Sequence, residues 1–510
     1  MSYLRANDRI RVKQVVLYTA YCLLLAAICY GFSPLINFYS TDSSVFYSIG
    51  NAMTEGMVPY KDIFDHKGLW VYLFNYFGAS LNAVLCGWGM CIIEVFMYLA
   101  IIIAADSIFS LFVKNEKIRI LFACLFLGFS LNYFTYQGGN YTETYALAFQ
   151  MISCALMTKY WFGDKVYDGH PPIYMFIHGL CSGICVFLRM NLVGIWIPFG
   201  IALAIELLKN KKYKNLLVNL LALLCGVALA TLPIAVYGIA NDCIEDMVFC
   251  VFTYNMSYVG DGTSALRFVK ELLLQGASAV LILGLISTAV VAASKNTPKT
   301  FKWIFSVGYI FVLYVTFMGM RAYGHYYQVL IPYTIPIFVV LGVELERKHF
   351  SIEKGSTFAI ALLVCFTITI LGNMRAIIEF GPFDNEYRYL YDTVQEANEY
   401  ISVDKDKSLL TTSNLMQSYV ITDTTPTTKY PYVPGAELPE ASKAMYENIL
   451  SGNYKYIFGV GYEEGYWTIS SGTQRDEINK FISENYVPIS TSDKYSYVMF
   501  MRDDDNGGDK

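Results

Sequence analysis

The chain has 510 residues, of which 55% are hydrophobic, 16% aromatic and only 15% charged, with a net charge of −5. Its mean hydropathy is +0.41. These values exceed what a soluble globular protein can bury, so they exclude that class and predict an integral membrane protein.

Apolar runs recur along the first three quarters of the chain, most of them near the roughly 20 residues that a helix needs to cross a bilayer. Each must be helical, because lipid cannot hydrogen-bond unpaired backbone groups. We predict eleven spans, at residues 14–34, 83–113, 118–133, 144–163, 172–188, 191–208, 215–238, 271–293, 303–320, 328–345 and 356–373. The sequence therefore predicts a polytopic α-helical membrane protein.

Lysine and arginine residues are concentrated in every second connecting segment of this arrangement. One set of segments, which includes the N-terminus, carries 19 of them, and the opposite set carries seven. Because basic residues concentrate on the cytoplasmic side, the N-terminus is predicted to be cytoplasmic, and the segment after residue 380 extracytoplasmic. Residues 14–36 lack a convincing cleavage site, so we expect them to stay in the membrane as the first span. The predicted location is the cell membrane, with many passes.

The first outer loop, residues 35–82, carries an unusual set of charged residues. Asp42 follows the first span and precedes Val45, Ile49 and Met53, whose spacing of four predicts an amphipathic helix at the membrane interface. At the start of that helix, Asp42 suits either an N-cap or a functional acid. After a turn at Pro59, the segment DIFDHKGLW places Asp65, His66 and Lys67 before an aromatic run. Interfacial anchoring is the alternative interpretation of these three.

Three other outer loops carry polar residues that could meet the same surface. Glu143 lies in the loop before the fourth span, and Arg189 lies in a very short turn between the fifth and sixth spans. An arginine in such a turn is costly unless it reaches headgroups or has an anionic partner. The loop GMRAYGHYYQVLIP between the ninth and tenth spans supplies Arg321, His325 and Tyr326. For His325, a hydrogen-bonded interfacial histidine and a ligand-binding residue remain open.

After about residue 379 the apolar runs shorten to strand length, as at residues 456–460 and 497–501. Residues 390–401 and 476–484 have helical periodicity, so residues 380–510 are predicted to form an extracytoplasmic soluble α/β domain, separate from the membrane domain at residues 1–379. Acidic residues outnumber basic ones in this domain, which argues against a nucleic-acid partner.

Acids and bases on several loops of one membrane face suit a transfer reaction between a lipid phosphate and a hydroxyl. Lysine or arginine can bind the phosphate of a polyprenyl-phosphate sugar and offset the charge of the leaving group. A carboxylate can then deprotonate an acceptor hydroxyl as it attacks the anomeric carbon, which would invert that carbon. No P-loop or dinucleotide glycine motif is present, so a nucleotide-driven pump is not expected.

The order of these elements resembles the GT-C superfamily of membrane glycosyltransferases: an acid after the first span, a G-x-x-P-Y turn, the KGL element, the Glu of GGNYTETY, the Arg-x-Asn turn and GHYYQVLIP. Among its members, the chain is most similar to the bacterial protein mannosyltransferase and aminoarabinose transferase group. The resemblance covers essentially the whole membrane region. It implies a GT-C-like fold with an extracytoplasmic C-terminal domain, and a glycan, lipid or protein acceptor.

The resemblance also implies roles for individual residues. Asp42 matches the first-loop acid, the catalytic base of the family, and Lys67 matches the lysine that contacts the donor phosphate. The residues placed on the substrate side are Asp65, His66, Lys67, Glu143, Arg189, Arg321, His325 and Tyr326. The chain departs from the family where Gly68-Leu69 replaces Pro-Pro and where Ser43 follows Asp42, which leaves the sugar open. No cofactor is certain, although a divalent cation is compatible, and no metal residue is assigned.

Two other functions use a similar arrangement. A transporter or flippase of lipid-linked sugar would bind the phosphate without reacting it, but it would favour charged residues near the middle of the membrane, where Glu94 and Asp106 are the main candidates. A polysaccharide polymerase or ligase would use the same donor, yet it normally has its large outer loop late in the membrane region. Here the first outer loop is the long one.

Overall fold

The structure is a computed structural model of the full chain. It describes residues 12–164, 169–258, 264–348, 355–380, 386–412, 415–432, 438–460, 472–492, 494 and 496–503. The described residues up to 380 are mainly helical, and a mixed α/β region follows.

The first part of the chain is a bundle of α-helices joined by short turns and by π- or 3₁₀-helical segments. Its α-helices are Val12–Cys29, Thr41–Thr54, Leu69–Asn82, Gly89–Phe109, Glu116–Ser130, Tyr133–Tyr136, Thr142–Lys159, Pro172–Val186, Trp196–Lys209, Tyr213–Ala240, Ile244–Val248, Asn255–Tyr258, Ala265–Leu274, Ser278–Ala293, Lys299–Phe317, Ile335–Arg347 and Gly355–Phe380. The π-helical segments are Tyr160–Asp164 and Phe249–Tyr254, and the 3₁₀ segments are Met190–Val193 and Gly324–Thr334.

In the described chain, seven helical stretches are long and apolar enough to cross a bilayer, or eight if one bent pair counts as a single span. The helix Tyr213–Ala240 shows the pattern most clearly, since leucines such as Leu217, Leu221 and Leu232 remain about half exposed on the protein surface. Exposed leucines in such number suit contact with lipid. The membrane class is therefore confirmed, while the count of eleven spans stays a prediction.

Two predicted spans differ from the structure. The span predicted from residue 271 is broken, because the helix Ala265–Leu274 meets Ser278–Ala293 at 83°. Residues 271–274, the first four of the predicted span, thus belong to a separate amphipathic helix. The apolar run continues across the break, so it does not indicate the boundary between the two helices. The span predicted at 328–345 begins as the 3₁₀ segment Gly324–Thr334, which holds Pro332 and becomes α-helical only at Ile335.

Close helix packing requires a glycine where Pro172–Val186 crosses Tyr213–Ala240. A Cβ atom at Gly226 would lie 2.1 Å from the carbonyl oxygen of Phe176. Small residues allow such contact between backbones, which is how membrane helices gain packing energy in the absence of a hydrophobic driving force.

The C-terminal region contains a four-stranded sheet: β1 (Leu409–Thr411), β2 (Tyr456–Val460), β3 (Tyr486–Ser492) and β4 (Tyr497–Arg502). The strand order is β1-β2-β4-β3, with β1 parallel to β2 and the other pairs antiparallel. The helices are Glu386–Ile401, Gln417–Thr422, Pro439–Leu450 and Gly472–Asn485. The predicted α/β character is confirmed, including β2 and β4, whereas β1 and β3 were not predicted.

Alternate residues of the strands face opposite layers of this region. On one face, Leu410, Ile457 and Phe500 pack with residues of the helices Pro439–Leu450 and Gly472–Asn485. On the other face, Leu409 and Phe458 belong to the same contiguous apolar cluster as the membrane bundle. The C-terminal region is therefore packed against the bundle, and this contact forms one wall of the site described next.

Candidate active site

The helix Thr41–Thr54 carries Asp42 in its first turn. Val45 and Ile49 bury the predicted apolar face, and each is less than 5% exposed. The residue at the N-cap is Ser40, not Asp42, and Asp42 makes no capping bond. Among the described residues, its carboxylate has no hydrogen-bond or ion-pair partner. The capping interpretation of Asp42 is therefore wrong, and the carboxylate can interact with a ligand.

Asp65, His66 and Lys67 form a connected row of charged and polar groups. Asp65 is 3% exposed, and it accepts hydrogen bonds from the hydroxyls of Tyr72 and of Tyr432, the latter at 2.6 Å. His66 Nδ1 lies 3.2 Å from Asp65 Oδ1, and His66 Nε2 lies 2.6 Å from Lys67 Nζ. These contacts tie three neighbouring side chains together, which surface anchoring would not require.

Burial and neighbouring charges set the protonation of this row. Burial by itself would raise the pKa of Asp65, but the contact with His66, the charge of Lys67 and the Tyr432 hydroxyl together lower it. Burial and the Lys67 charge lower the pKa of His66. Burial also lowers the pKa of Lys67, against the opposing pull of Asp65 and Asp42. An ionised Asp65 beside a neutral His66 is the arrangement that these shifts favour.

Gly68 brings the Lys67 loop against the Arg189 turn. The Gly68 N–H donates to the carbonyl oxygen of Leu188 at 3.2 Å, and a Cβ atom at Gly68 would lie 2.0 Å from the carbonyl oxygen of Phe187. A proline here would lack the N–H and would carry the clashing Cβ. The departure from Pro-Pro at this position thus has a local structural reason: the two backbones touch.

Arg189 is held by an acid and a tyrosine. Its guanidinium donates to Glu143 Oε1 at 2.7 Å and to the Tyr326 hydroxyl at 2.8 Å. Glu143 is 2% exposed, and its second oxygen accepts a bond from Thr142. Because Arg189 and Thr142 cover its carboxylate, Glu143 lies behind the site and does not line the cavity. Its contact is with Arg189, and its predicted role in substrate binding stays a prediction.

His325 lies in a stack of aromatic rings. Its imidazole stacks on Tyr141 with ring centroids 4.3 Å apart, and its Nδ1 lies 3.3 Å from Gln137 Oε1. The charges of Asp42, Glu143, Arg189 and Lys67 all act on this ring. His325 is thus both packed and inside the field of the other candidate residues, so the packing and ligand interpretations are compatible.

These groups surround one cavity of about 1330 Å³ at the end of the bundle that contacts the C-terminal region. Its walls come from segments far apart in the sequence. The predicted site residues that line it are Asp42, Asp65, His66, Lys67, Arg189, Arg321, His325 and Tyr326. The structure therefore brings eight of the nine residues singled out from the sequence to one cavity. The ninth, Glu143, contacts Arg189 behind the cavity wall.

The cavity also has walls that the sequence did not predict. The helix Ala265–Leu274 contributes Arg267 and Glu271, which form an ion pair at 2.9 Å. Their spacing of four residues on one helix is typical of an ion pair, so the sequence could have indicated this interaction. Tyr387, Gln417 and Tyr432 enter from the C-terminal region, and no local sequence pattern distinguishes them from the other tyrosines and glutamines.

The described residues contain no group of three or more His, Cys, Asp or Glu side chains able to hold a metal ion. The buried acids of the second predicted span have local partners instead. Glu94 accepts a bond from Tyr136 at 2.9 Å, and Asp106 pairs with Arg119 at 2.8 Å. Both interactions join helices within the bundle.

Comparison with solved structures shows the fold. The structures of ArnT from Cupriavidus metallidurans, one bound to undecaprenyl phosphate and one in the apo state, match with TM-scores of 0.53 and 0.54 at 10% and 9% identity, covering 98% of this chain and 99% of theirs. The Archaeoglobus fulgidus oligosaccharyltransferase complexed with Zn and sulfate matches with a TM-score of 0.49 at 12% identity, covering 95% of this chain and 72% of that chain. The likeness to ArnT confirms the predicted GT-C-like fold.

A comparison with curated protein sequences finds no match. A family model does match, over residues 5–358, which include most of the bundle and all of the cavity-lining residues outside the C-terminal region. With well over half of its length covered, the chain belongs to the family described as the competence-induced protein Ccs4 N-terminal domain.

Proposed function

We propose that this protein is an inverting glycosyltransferase that moves a sugar from a polyprenyl-phosphate donor to a hydroxyl acceptor at the outer face of the membrane. One observation carries the proposal: a carboxylate without a partner among the described residues, Asp42, shares a cavity with Lys67, Arg189 and Arg321. A base and a set of cations in one pocket suit the deprotonation of a hydroxyl and the departure of a phosphate.

The proposed reaction has a single displacement step. The oxygen of the acceptor hydroxyl attacks the anomeric carbon, the bond from that carbon to the phosphate oxygen breaks, and Asp42 takes the hydroxyl proton. The polyprenyl phosphate leaves with the bonding electrons, and its negative charge is offset by Lys67 and Arg189. Attack from the side opposite the phosphate inverts the anomeric carbon.

The donor class has two supports. The cavity lies at the end of an apolar helical bundle, so a phosphate held there leaves room for a prenyl tail to remain in the hydrocarbon. ArnT, whose fold this chain shares, has been solved bound to undecaprenyl phosphate. A divalent cation would need ligands from the donor as well as from Asp42, so no step is assigned to one.

The test is a transfer assay with the full chain in proteoliposomes that contain a polyprenyl-phosphate sugar and a panel of glycan, lipid and peptide acceptors. We expect a product whose anomeric configuration is opposite to that of the donor. Retention of configuration would overturn the single-displacement step. Movement of intact donor across the bilayer without any product would favour the transport alternative and overturn the enzyme proposal.

A further inference from the structure

The C-terminal region reaches into the donor side of the site through one short segment. Tyr432 is 5% exposed, and its hydroxyl donates to Asp65 Oδ1 at 2.6 Å. The nearby Lys429 fixes the same loop, because its carbonyl oxygen accepts the N–H of Phe64 at 2.7 Å. Its ammonium also lies 3.3 Å from Asp246. The contact is therefore a multipoint attachment of residues 429–432 to the loop that carries Lys67.

From Tyr432, a continuous chain of close contacts leads to Lys67. Asp65 receives the Tyr432 hydroxyl on one oxygen and the Tyr72 hydroxyl on the other. His66 Nδ1 lies 3.2 Å from Asp65, and His66 Nε2 lies 2.6 Å from the Lys67 ammonium. A carboxylate next to Nδ1 favours the tautomer with hydrogen on Nδ1, which leaves Nε2 to accept a hydrogen from Lys67.

The tyrosine hydroxyl is suited to this task. Burial and the Asp65 charge raise the pKa of Tyr432, so its hydroxyl keeps the proton that it donates. A donated hydrogen bond stabilises the ionised form of Asp65 and lowers its pKa. Asp65 in turn can hold His66 in one orientation, and His66 can hold the Lys67 ammonium at the cavity wall.

We propose that Tyr432 is a positioning residue through which the C-terminal region completes the donor-phosphate site, by holding Asp65, His66 and Lys67 in the geometry that binds a lipid phosphate. This inference rests on the proposed function, since it assigns Lys67 to the donor phosphate. It gives the C-terminal region a direct part in donor binding, beyond covering the cavity.

The test compares Tyr432→Phe with Tyr430→Phe in the full chain. Tyr430 lies in the same segment and packs its ring 5.5 Å from Phe64, but its hydroxyl is directed to Glu440 at 3.5 Å. Both changes remove a single oxygen and keep the ring. Binding of undecaprenyl phosphate is measured in detergent, with Lys67→Ala as the reference for a lost phosphate ligand and the double variant Tyr432→Phe/Lys67→Ala beside it.

We expect Tyr432→Phe to weaken undecaprenyl phosphate binding about tenfold, because hydrogen bonds to charged groups have effects of this order. Tyr432→Phe combined with Lys67→Ala should bind no more weakly than Lys67→Ala alone, because Tyr432 acts on the phosphate through Lys67. Tyr430→Phe should bind as the wild type does. A general packing defect would weaken the double variant further than Lys67→Ala, and would overturn the positioning role.

The two proposals fail in distinguishable ways. If the wild type binds undecaprenyl phosphate and Lys67→Ala does not, unchanged binding by Tyr432→Phe overturns the role of Tyr432 alone. If the wild type itself does not bind the lipid phosphate, the proposed function is overturned, and the positioning role falls with it.

Discussion

Replacing Asp42 by asparagine removes one negative charge from the cavity and little else. The carboxylate has no partner among the described residues, so the change leaves no buried group unsatisfied there. The helix Thr41–Thr54 loses an acid from its first turn, which costs about 0.3–1 kcal/mol of stability. We therefore expect the variant to fold and to keep a melting temperature close to that of the wild type.

The expected effect on catalysis is much larger. A positioned general base contributes about 10²–10⁴-fold to the rate, which corresponds to about 2.7–5.4 kcal/mol of activation free energy. The loss should appear in kcat. The donor KM should stay the same or fall, because removing an acid from a cavity that also holds Lys67 and Arg189 makes the cavity more favourable for a phosphate.

The assay is transfer from a polyprenyl-phosphate sugar in proteoliposomes, with kcat and donor KM determined separately. Asp62→Asn is the matched control, since Asp62 belongs to the same loop but does not line the cavity, and an asparagine oxygen can still accept the Val58 N–H. Full transfer by Asp42→Asn would falsify the base assignment. A raised donor KM with unchanged kcat would likewise contradict it, because the acid would then serve binding alone.

Three further changes test neighbouring parts of the site. Lys67→Ala should weaken donor binding about 10–100-fold. Wild-type binding should weaken as pH rises through the lowered pKa of Lys67, and Lys67→Arg should move this loss of binding to far higher pH. Donor titrations that show neither effect would remove Lys67 from the site. Arg189→Ala leaves Glu143 buried without its cation and should lower the free energy of unfolding by about 3–5 kcal/mol, part of which should return when Glu143→Gln is added. Thermal unfolding of the single and double variants measures this coupling, and additive effects of the two changes would disprove it. Gly68→Ala should lower both the melting temperature and the transfer rate, because its Cβ would lie 2.0 Å from a carbonyl oxygen. Gly200→Ala should be neutral, since a Cβ there would have no atom within 4 Å, and equal behaviour of the two variants would refute the close contact at Gly68.

The sequence determined the membrane class, the position of many helices and the identity of most charged groups in the cavity, though not of Arg267 and Glu271. Apolar run length and the spacing of Val45 and Ile49 are local properties, so they can be read before any tertiary contact is known. The α/β character of the C-terminal region was equally readable, because strands such as β2 and β4 are continuous apolar runs.

Only the tertiary structure decided how the charged groups are paired. That Glu143 supports Arg189 while Asp42 has no partner among the described residues depends on which loops meet, and spacing along the chain does not encode that. The same holds for Tyr432, whose hydroxyl reaches Asp65 across more than 360 residues of sequence. A hydrogen bond needs its two atoms within about 3 Å, and packing between distant segments alone brings these atoms so close.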